Sequence, residues 1–175
     1  MKHVGMNVAS DPMMTLAYVG VKGGMVIINA DDPSLFSSQN EQDNRYYARL
    51  SGLPMLEPTN TQEMKDMTVE AFDLSEELGL PVIIRTTTRL AHIRGAVRLG
   101  ELKPIKTSAH FEKNPFNFVA VPAVARNLHK VLLEKYDKAN EKSESGSYNE
   151  VIGEGKWGIV ANGASFNYVK DAVFD

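Results

Sequence analysis

Two short apolar runs rich in β-branched residues stand out along the chain, each bounded by turn formers. GMVIINA (Gly24 to Ala30) sits between Gly23-Gly24 and Asp31-Asp32-Pro33, and LPVIIRT (Leu80 to Thr86) follows Gly79. Continuous apolar runs of this length, without polar alternation, predict strands buried on both faces. Between them, Thr59 to Leu78 carries Met64, Met67, Ala71, Leu74 and Leu78 at helical spacing. Thr59 with Gln62 predicts a capping box at its start, and Gly79 with Pro81 predicts its end. A second helix is predicted from Asp11 or Pro12 to about Val21, with Asp11 as N-cap, and another near Asn44. Val121 to about Lys142 predicts a long helix, with Pro122 near its start and Val124, Leu128, Val131 and Leu132 on one side. After the polar linker EKSESGSYNE (Glu141 to Glu150), WGIVANGASFNYVKDAVF predicts a strand, a glycine turn and the first turns of a helix. Strands alternating with helices predict an α/β fold with a parallel sheet. Both ends read as cut. Met1 to Val4 is expected to run straight into a strand or loop, and Asp175 to fall inside a helix.

The segment between the first strand and the next helix is unusual. SSQNEQDNRYYAR (Ser37 to Arg49) is almost wholly polar and leaves directly from a buried strand. In an open parallel sheet, ligands bind in the crevice beyond the carboxyl ends of the strands. A loop this long and polar at such an end is either a binding loop or a surface connector that caps the helix near Asn44.

Composition narrows the class. The chain has 175 residues, 43% of them hydrophobic, enough for a buried core without covalent staples. With no cysteine it cannot contribute a disulfide, a thiolate zinc site or an iron–sulfur cluster, a composition suited to a reducing cytoplasm. A formal net charge of −3 gives no broad attraction to nucleic acid or anionic lipid. No apolar run is long enough to span a membrane, and residues 1–20 lack the build of a signal peptide.

Short motifs add little. GEGKWG (Gly153 to Gly158) matches G-x-G-x-x-G literally, but a strand follows it instead of preceding it, so it reads as a turn. Asp31, Asp32, Glu41 and Asp43 lack the spacing of a calcium loop and read as a helix-capping acidic segment. His3, His92, His110 and His129 have no metal-ligand spacing. Ser10, Ser37 and Ser38 have no base directed at them in the sequence. RTTTRLAHIRG (Arg85 to Gly95) carries Arg85, Arg89 and Arg94. These can clamp a carboxylate or phosphate through the forked guanidinium, or equally make ion pairs between domains.

KHVGMNVASDPMMTLAYVGVKGGMVIINADDPSLFSSQNEQDNRYYARLSGLPMLEP (residues 2–58), with RTTTRLAHIRG further on, resembles the alpha subunit of indolepyruvate ferredoxin oxidoreductases. The resemblance is specific from residue 2 to about 95 and looser beyond. It implies a thiamine-diphosphate-dependent 2-oxoacid:ferredoxin oxidoreductase, a cytoplasmic enzyme. Such enzymes decarboxylate an aryl 2-oxoacid to an acyl-coenzyme A and pass electrons through iron–sulfur clusters to ferredoxin. A beta subunit is the expected partner, in a homo- or hetero-oligomer. Pyruvate-type 2-oxoacid chemistry, or a non-catalytic partner-binding α/β protein, are the alternatives.

The resemblance further implies a parallel-sheet α/β domain of the pyrimidine-binding type over residues 1–95, incomplete at its N-terminus. A connecting segment with a long helix and polar linker would span 96–150, and a following α/β domain would open at 151–175. Thiamine diphosphate with Mg²⁺ would lie between this domain and a facing diphosphate-binding one. The family chemistry uses a glutamate on the pyrimidine ring, which the resemblance places upstream of Met1. No catalytic residue is therefore expected in the chain, which would be inactive by itself, and no metal ligand either. Asn7 and Ser10 match the turn near the pyrimidine, and Ser38, Gln39, Asn40, Gln42 and Asp43 match the cofactor-side polar loop. Arg45 and Arg49 match its support or an interface. Arg89 and His92 match the loop where a substrate carboxylate or coenzyme A phosphate would be held.

Overall fold

The computed structural model describes residues 1–102 and 110–174. The two apolar runs form adjacent parallel strands, β1 (Val26–Asp31) and β3 (Val82–Thr87), in register from Val26 opposite Val82 to Asp31 opposite Thr87. A two-residue strand, β2 (Met55–Leu56), pairs parallel to the other side of β3, so the sheet order is β1-β3-β2. β3 is thus the central strand, which is why Val82, Ile83 and Ile84 have no solvent exposure.

Side-chain alternation along β3 serves two cores at once. Ile83 packs with Met6, Met13, Ala17, Ala48 and Leu132. These residues come from α1 (His3–Val8), α2 (Ser10–Val19), α3 (Arg45–Ser51) and α7 (Pro122–Ser145). Val82 and Ile84 face the other way, against Leu56 and Ala71, the latter on α4 (Thr61–Leu78). Each such aliphatic side chain contributes about 1.5–3 kcal/mol on full burial. Thr88–Ala91 forms α5, Pro115–Phe118 α6 and Ala164–Phe174 α8.

Five local expectations need correction. The first apolar run is expected to be buried on both faces, but β1 lies at the edge of the sheet, where Val26 and Ile27 are only half-buried and Ile28 is 43% exposed. Helix α4 is capped by Asn60, whose side chain accepts from the Glu63 amide, while the Glu63 carboxylate accepts from the Thr59 amide at 2.8 Å. The capping box is therefore one residue later than Thr59 with Gln62, because Glu63 is a carboxylate able to reach back. Helix α2 begins at Ser10 with Ala9 as N-cap, and Asp11 lies in its first turn. Met1 and Lys2 run alongside β1, with a parallel bridge between Lys2 and Ala30, and His3 then opens a helix, not a strand or loop. Residues 157–162 form no strand: they pair with no strand among the described residues, and Trp157 and Val160 are exposed. Residues 103–109 of the connecting segment, and Asp175 with its expected helical position, lie outside the described residues.

Candidate functional site

β1 and β3 end side by side, so the loops that leave them face one another across the carboxyl edge of the sheet. There they enclose, with Glu57 after β2 and Asn162 to Tyr168 from the tail, a polar cavity of about 270 Å³. Its wall includes Pro33, Ser34, Phe36, Glu41, Gln42 and Asp43 from the first loop and Thr86 to Arg89 from the second.

The floor is a buried charge network. The Arg85 side chain is 4% exposed, and its Nε donates to Asp31 Oδ2 at 2.7 Å. Its Nη1 donates to Glu57 Oε2 at 2.8 Å, and its Nη2 lies 3.8 Å from Asp43 Oδ1. Arg45 donates to both oxygens of Glu57, at 2.6 and 3.1 Å, and to Asp43 Oδ2 at 3.1 Å. The Glu57 hydrogen bond raises the Arg45 guanidinium above its ordinary value, against the opposing effect of burial. Arg45 also donates to Asn162 Oδ1 at 3.1 Å, which ties the tail to the pocket. Of the two readings open for Arg85, the structure answers with a third: its carboxylate partners lie within the same sheet edge and loops.

Arg89 differs. It makes no ion pair among the described residues; its Nη1 donates to the Tyr168 hydroxyl at 2.5 Å and its guanidinium carbon lies 5.1 Å from that ring's centre. It is an exposed cation at the mouth of the pocket.

Asp32 organises the loop itself. Its carboxylate accepts from the Phe36 and Ser37 amides at 3.2 and 2.8 Å and from the Ser38 and Thr88 hydroxyls, both at 2.6 Å. The Ser38 hydroxyl first, then Thr88 and the Ser37 and Phe36 amides, hold the acid well below the ordinary carboxylate value. Ser34 and Leu35 take positive φ angles of 69° and 59°, a conformation that costs non-glycine residues energy. Below the loop, Asn44 is fully buried, bonded through its amide nitrogens to Asp31, the His3 carbonyl and Asn29. His3 Nε2 lies 3.1 Å from the Asn40 carbonyl oxygen.

Gln42, Asp43, Arg45 and Arg89 line the pocket. Ser38, Gln39 and Asn40 share the loop without lining it: Ser38 is bonded to Asp32, the Asn40 side chain accepts from Gln42 at 3.0 Å, and Gln39 is exposed. Asn7 and Ser10 lie on helices α1 and α2 and not in a turn after a strand, because residues 3–8 wind into a helix; Asn7 accepts from the Tyr47 hydroxyl at 2.6 Å. Arg49, in the last turn of α3, and His92, at the end of α5, are exposed and outside the pocket lining. Sequence reasoning missed Glu57, Thr88, Asn162 and Tyr168. An acid directly after a short apolar pair, Met55–Leu56, was the available signal for Glu57; the tail residues gave none, because their contacts span more than 75 positions.

Parallel strands that deliver charged and hydroxyl side chains to one carboxyl-end pocket define an α/β ligand-binding domain. Residues 25–152 match the family described as "Pyruvate flavodoxin/ferredoxin oxidoreductase, thiamine diP-bdg", and the chain belongs to that family. It is 52% identical over 99% of its length to the indolepyruvate oxidoreductase subunit IorA of Methanothermobacter marburgensis. The subunits of that name from Pyrococcus abyssi and Archaeoglobus fulgidus are each 49% identical over 99% of the chain. The chain spans 28% of the length of each of these relatives. No solved structure matches it.

The pocket suits one end of thiamine diphosphate. Hydroxyl and amide groups from Thr87 and Gln42, beside apolar Pro33 and Pro58, fit a polar heteroaromatic ring. Among the described residues no group of three or more His, Asp or Glu side chains is placed to hold a metal ion. No described helix is long and apolar enough to cross a membrane.

Proposed function

We propose that this chain forms the pyrimidine-side part of a subunit of a 2-oxoacid:ferredoxin oxidoreductase acting on aryl 2-oxoacids such as indolepyruvate. The observation that carries this reading is identity of about half of all positions, across almost the whole chain, to subunits named for indolepyruvate. Thiamine diphosphate supplies, when bound, the thiazolium carbon that makes 2-oxoacid decarboxylation accessible. The remaining chemistry belongs to the protein. Gln42, Asp43 and Thr87 hold the ring face through amide, carboxylate and hydroxyl groups. Arg85, Arg45 and Glu57 keep the floor rigid, since the Glu57 carboxylate is held by both guanidiniums and Arg85 is also held by buried Asp31. Arg89 binds the substrate carboxylate or a coenzyme A phosphate, because it is the cation at the pocket mouth without a carboxylate partner among the described residues. Ser38, Gln39 and Asn40 shape the cofactor side of the loop, Asn7 and Ser10 support the cofactor side from helices α1 and α2, and Arg49 and His92 face an interface.

Mg²⁺, iron–sulfur clusters, a beta subunit, ferredoxin and a cytoplasmic setting complete the reading. The test is turnover of indolepyruvate, phenylpyruvate and pyruvate by the complete enzyme with ferredoxin and coenzyme A. Preference for the two aryl substrates is expected; preference for pyruvate, or turnover that persists without thiamine diphosphate, contradicts the reading.

A further inference from the structure

Asp32 stands next to the pocket lining and takes no part in the charge network of its floor. Its neighbour Asp31 pairs with Arg85; Asp32 meets only neutral donors. Three of these donors, the Phe36 and Ser37 amides and the Ser38 hydroxyl, belong to the loop leaving β1. The fourth, the Thr88 hydroxyl, is 56 residues away at the start of α5. One carboxylate therefore joins the two loops that form opposite walls of the pocket.

The left-handed pair Ser34–Leu35 gives this junction a physical purpose. Two consecutive non-glycine residues at positive φ are strained and persist only where their surroundings over-determine them. Carboxylates hold the turn from both sides: Asp32 takes the Phe36 and Ser37 amides beyond it, and Glu41 takes the Ser34 amide at 3.0 Å. The Asp32 carbonyl also accepts from Leu35 at 3.1 Å. The strained turn bends the loop back so that Phe36 and Glu41 both reach the pocket. Thr88 is the residue before Arg89, so the same carboxylate that holds the turn also fixes the start of the short helix that carries Arg89.

We propose that Asp32 is a positioning residue of the pocket, locking the strained loop after β1 onto Thr88 and so setting where Arg89 meets a bound anion. The proposal rests on the reading that the pocket receives the 2-oxoacid or its cofactor. Four donors converge on this carboxylate and keep it ionised through the neutral range, so the junction holds wherever the enzyme works.

The experiment uses the complete enzyme and addresses the Thr88 side of the junction, where a change removes one bond and leaves the Asp32 carboxylate its three loop donors. Thr88→Val keeps the shape and loses the hydroxyl; Thr88→Ser keeps the hydroxyl. Amide hydrogen exchange is read at Phe36 to Ser38, and KM and kcat are read for the aryl 2-oxoacid. Thr88→Val is expected to speed exchange at Phe36 to Ser38 and to raise KM roughly tenfold, with a smaller change in kcat, in line with loss of one charge-assisted hydrogen bond. Thr88→Ser is expected to restore both. Unchanged exchange at Phe36 to Ser38 in Thr88→Val overturns the proposal. So does a fall in kcat without a rise in KM, or a Thr88→Ser enzyme as impaired as Thr88→Val. If the unmodified enzyme turns over no 2-oxoacid, the functional reading falls separately, and the exchange result still decides whether the two loops are coupled.

Discussion

Replacing Arg85 with methionine probes the buried network most sharply. Arg85 and Asp31 have side chains 4% and 1% exposed, joined at 2.7 Å. Removing the guanidinium leaves a buried carboxylate without its cation, a loss of about 3–5 kcal/mol for pairs of this kind. Here the lower end applies. Asp31 retains the Asn29 amide at 2.9 Å and the Asn44 backbone amide at 3.1 Å, and Glu57 retains Arg45. The expected loss is therefore about 3 kcal/mol. In a chain of this size that lowers the melting temperature by roughly 6–12 °C. Urea unfolding of the chain, followed by circular dichroism, measures it. The double variant Asp31→Asn/Arg85→Met removes both charges together, and is expected to be about 1–2 kcal/mol more stable than the sum of the single losses. Strict additivity of the two single changes, or an Arg85→Met loss under about 0.5 kcal/mol, would refute the claim that this pair is held together in a desolvated floor.

Two further outcomes follow from local geometry. Asn60→Ala removes the acceptor for the Glu63 amide and is expected to cost about 1 kcal/mol of stability, with a smaller loss for Thr59→Ala; the reverse order in urea unfolding would put the cap back at Thr59. Burial, then the Glu70 carboxylate and nearby Asp73, push the Tyr148 hydroxyl from 10.0 up to about 12. The folded chain then keeps a proton that the unfolded chain releases, so this contribution is complete below pH 10 and is lost as pH rises toward 12. Tyr148→Phe should lose less stability over that range than the unmodified chain, and parallel losses would contradict the assignment.

The fold was legible where burial is unconditional. β3 is buried on both faces because helices cover it above and below, and the sequence records that as the run Val82-Ile83-Ile84. β1 carries a similar run, but at the edge of the sheet it is covered less, and Ile28 is 43% exposed. The polar loop was legible only as two alternatives, a binding loop or a helix-capping connector, and the structure shows it doing part of both. Glu41, Gln42 and Asp43 line the pocket, while the Asp43 carboxylate accepts from the Arg45 amide at the start of α3. What the sequence hid was partner choice. Arg85 and Arg89 read alike in RTTTRLAHIRG, yet strand alternation and register turn one into the floor toward Asp31, while the other starts a helix in the open. Asp31 and Asp32 are likewise adjacent and chemically identical, and the reversal of side-chain direction at consecutive positions sends one to a cation and the other to hydroxyls and amides. The strand expected at 157–162 shows the opposite failure, since an apolar run specifies a strand only when a neighbour offers its backbone.

On the proposed reading, the pocket at the carboxyl ends of β1 and β3 receives one end of thiamine diphosphate. Hydrogen exchange of the full-length subunit, with and without thiamine diphosphate and Mg²⁺, tests it most directly. Slower exchange is expected at residues 33–43 and 86–92, with none at the distant groove around Glu70 and Tyr148. Cofactor binding that leaves 33–43 and 86–92 unprotected would contradict the account.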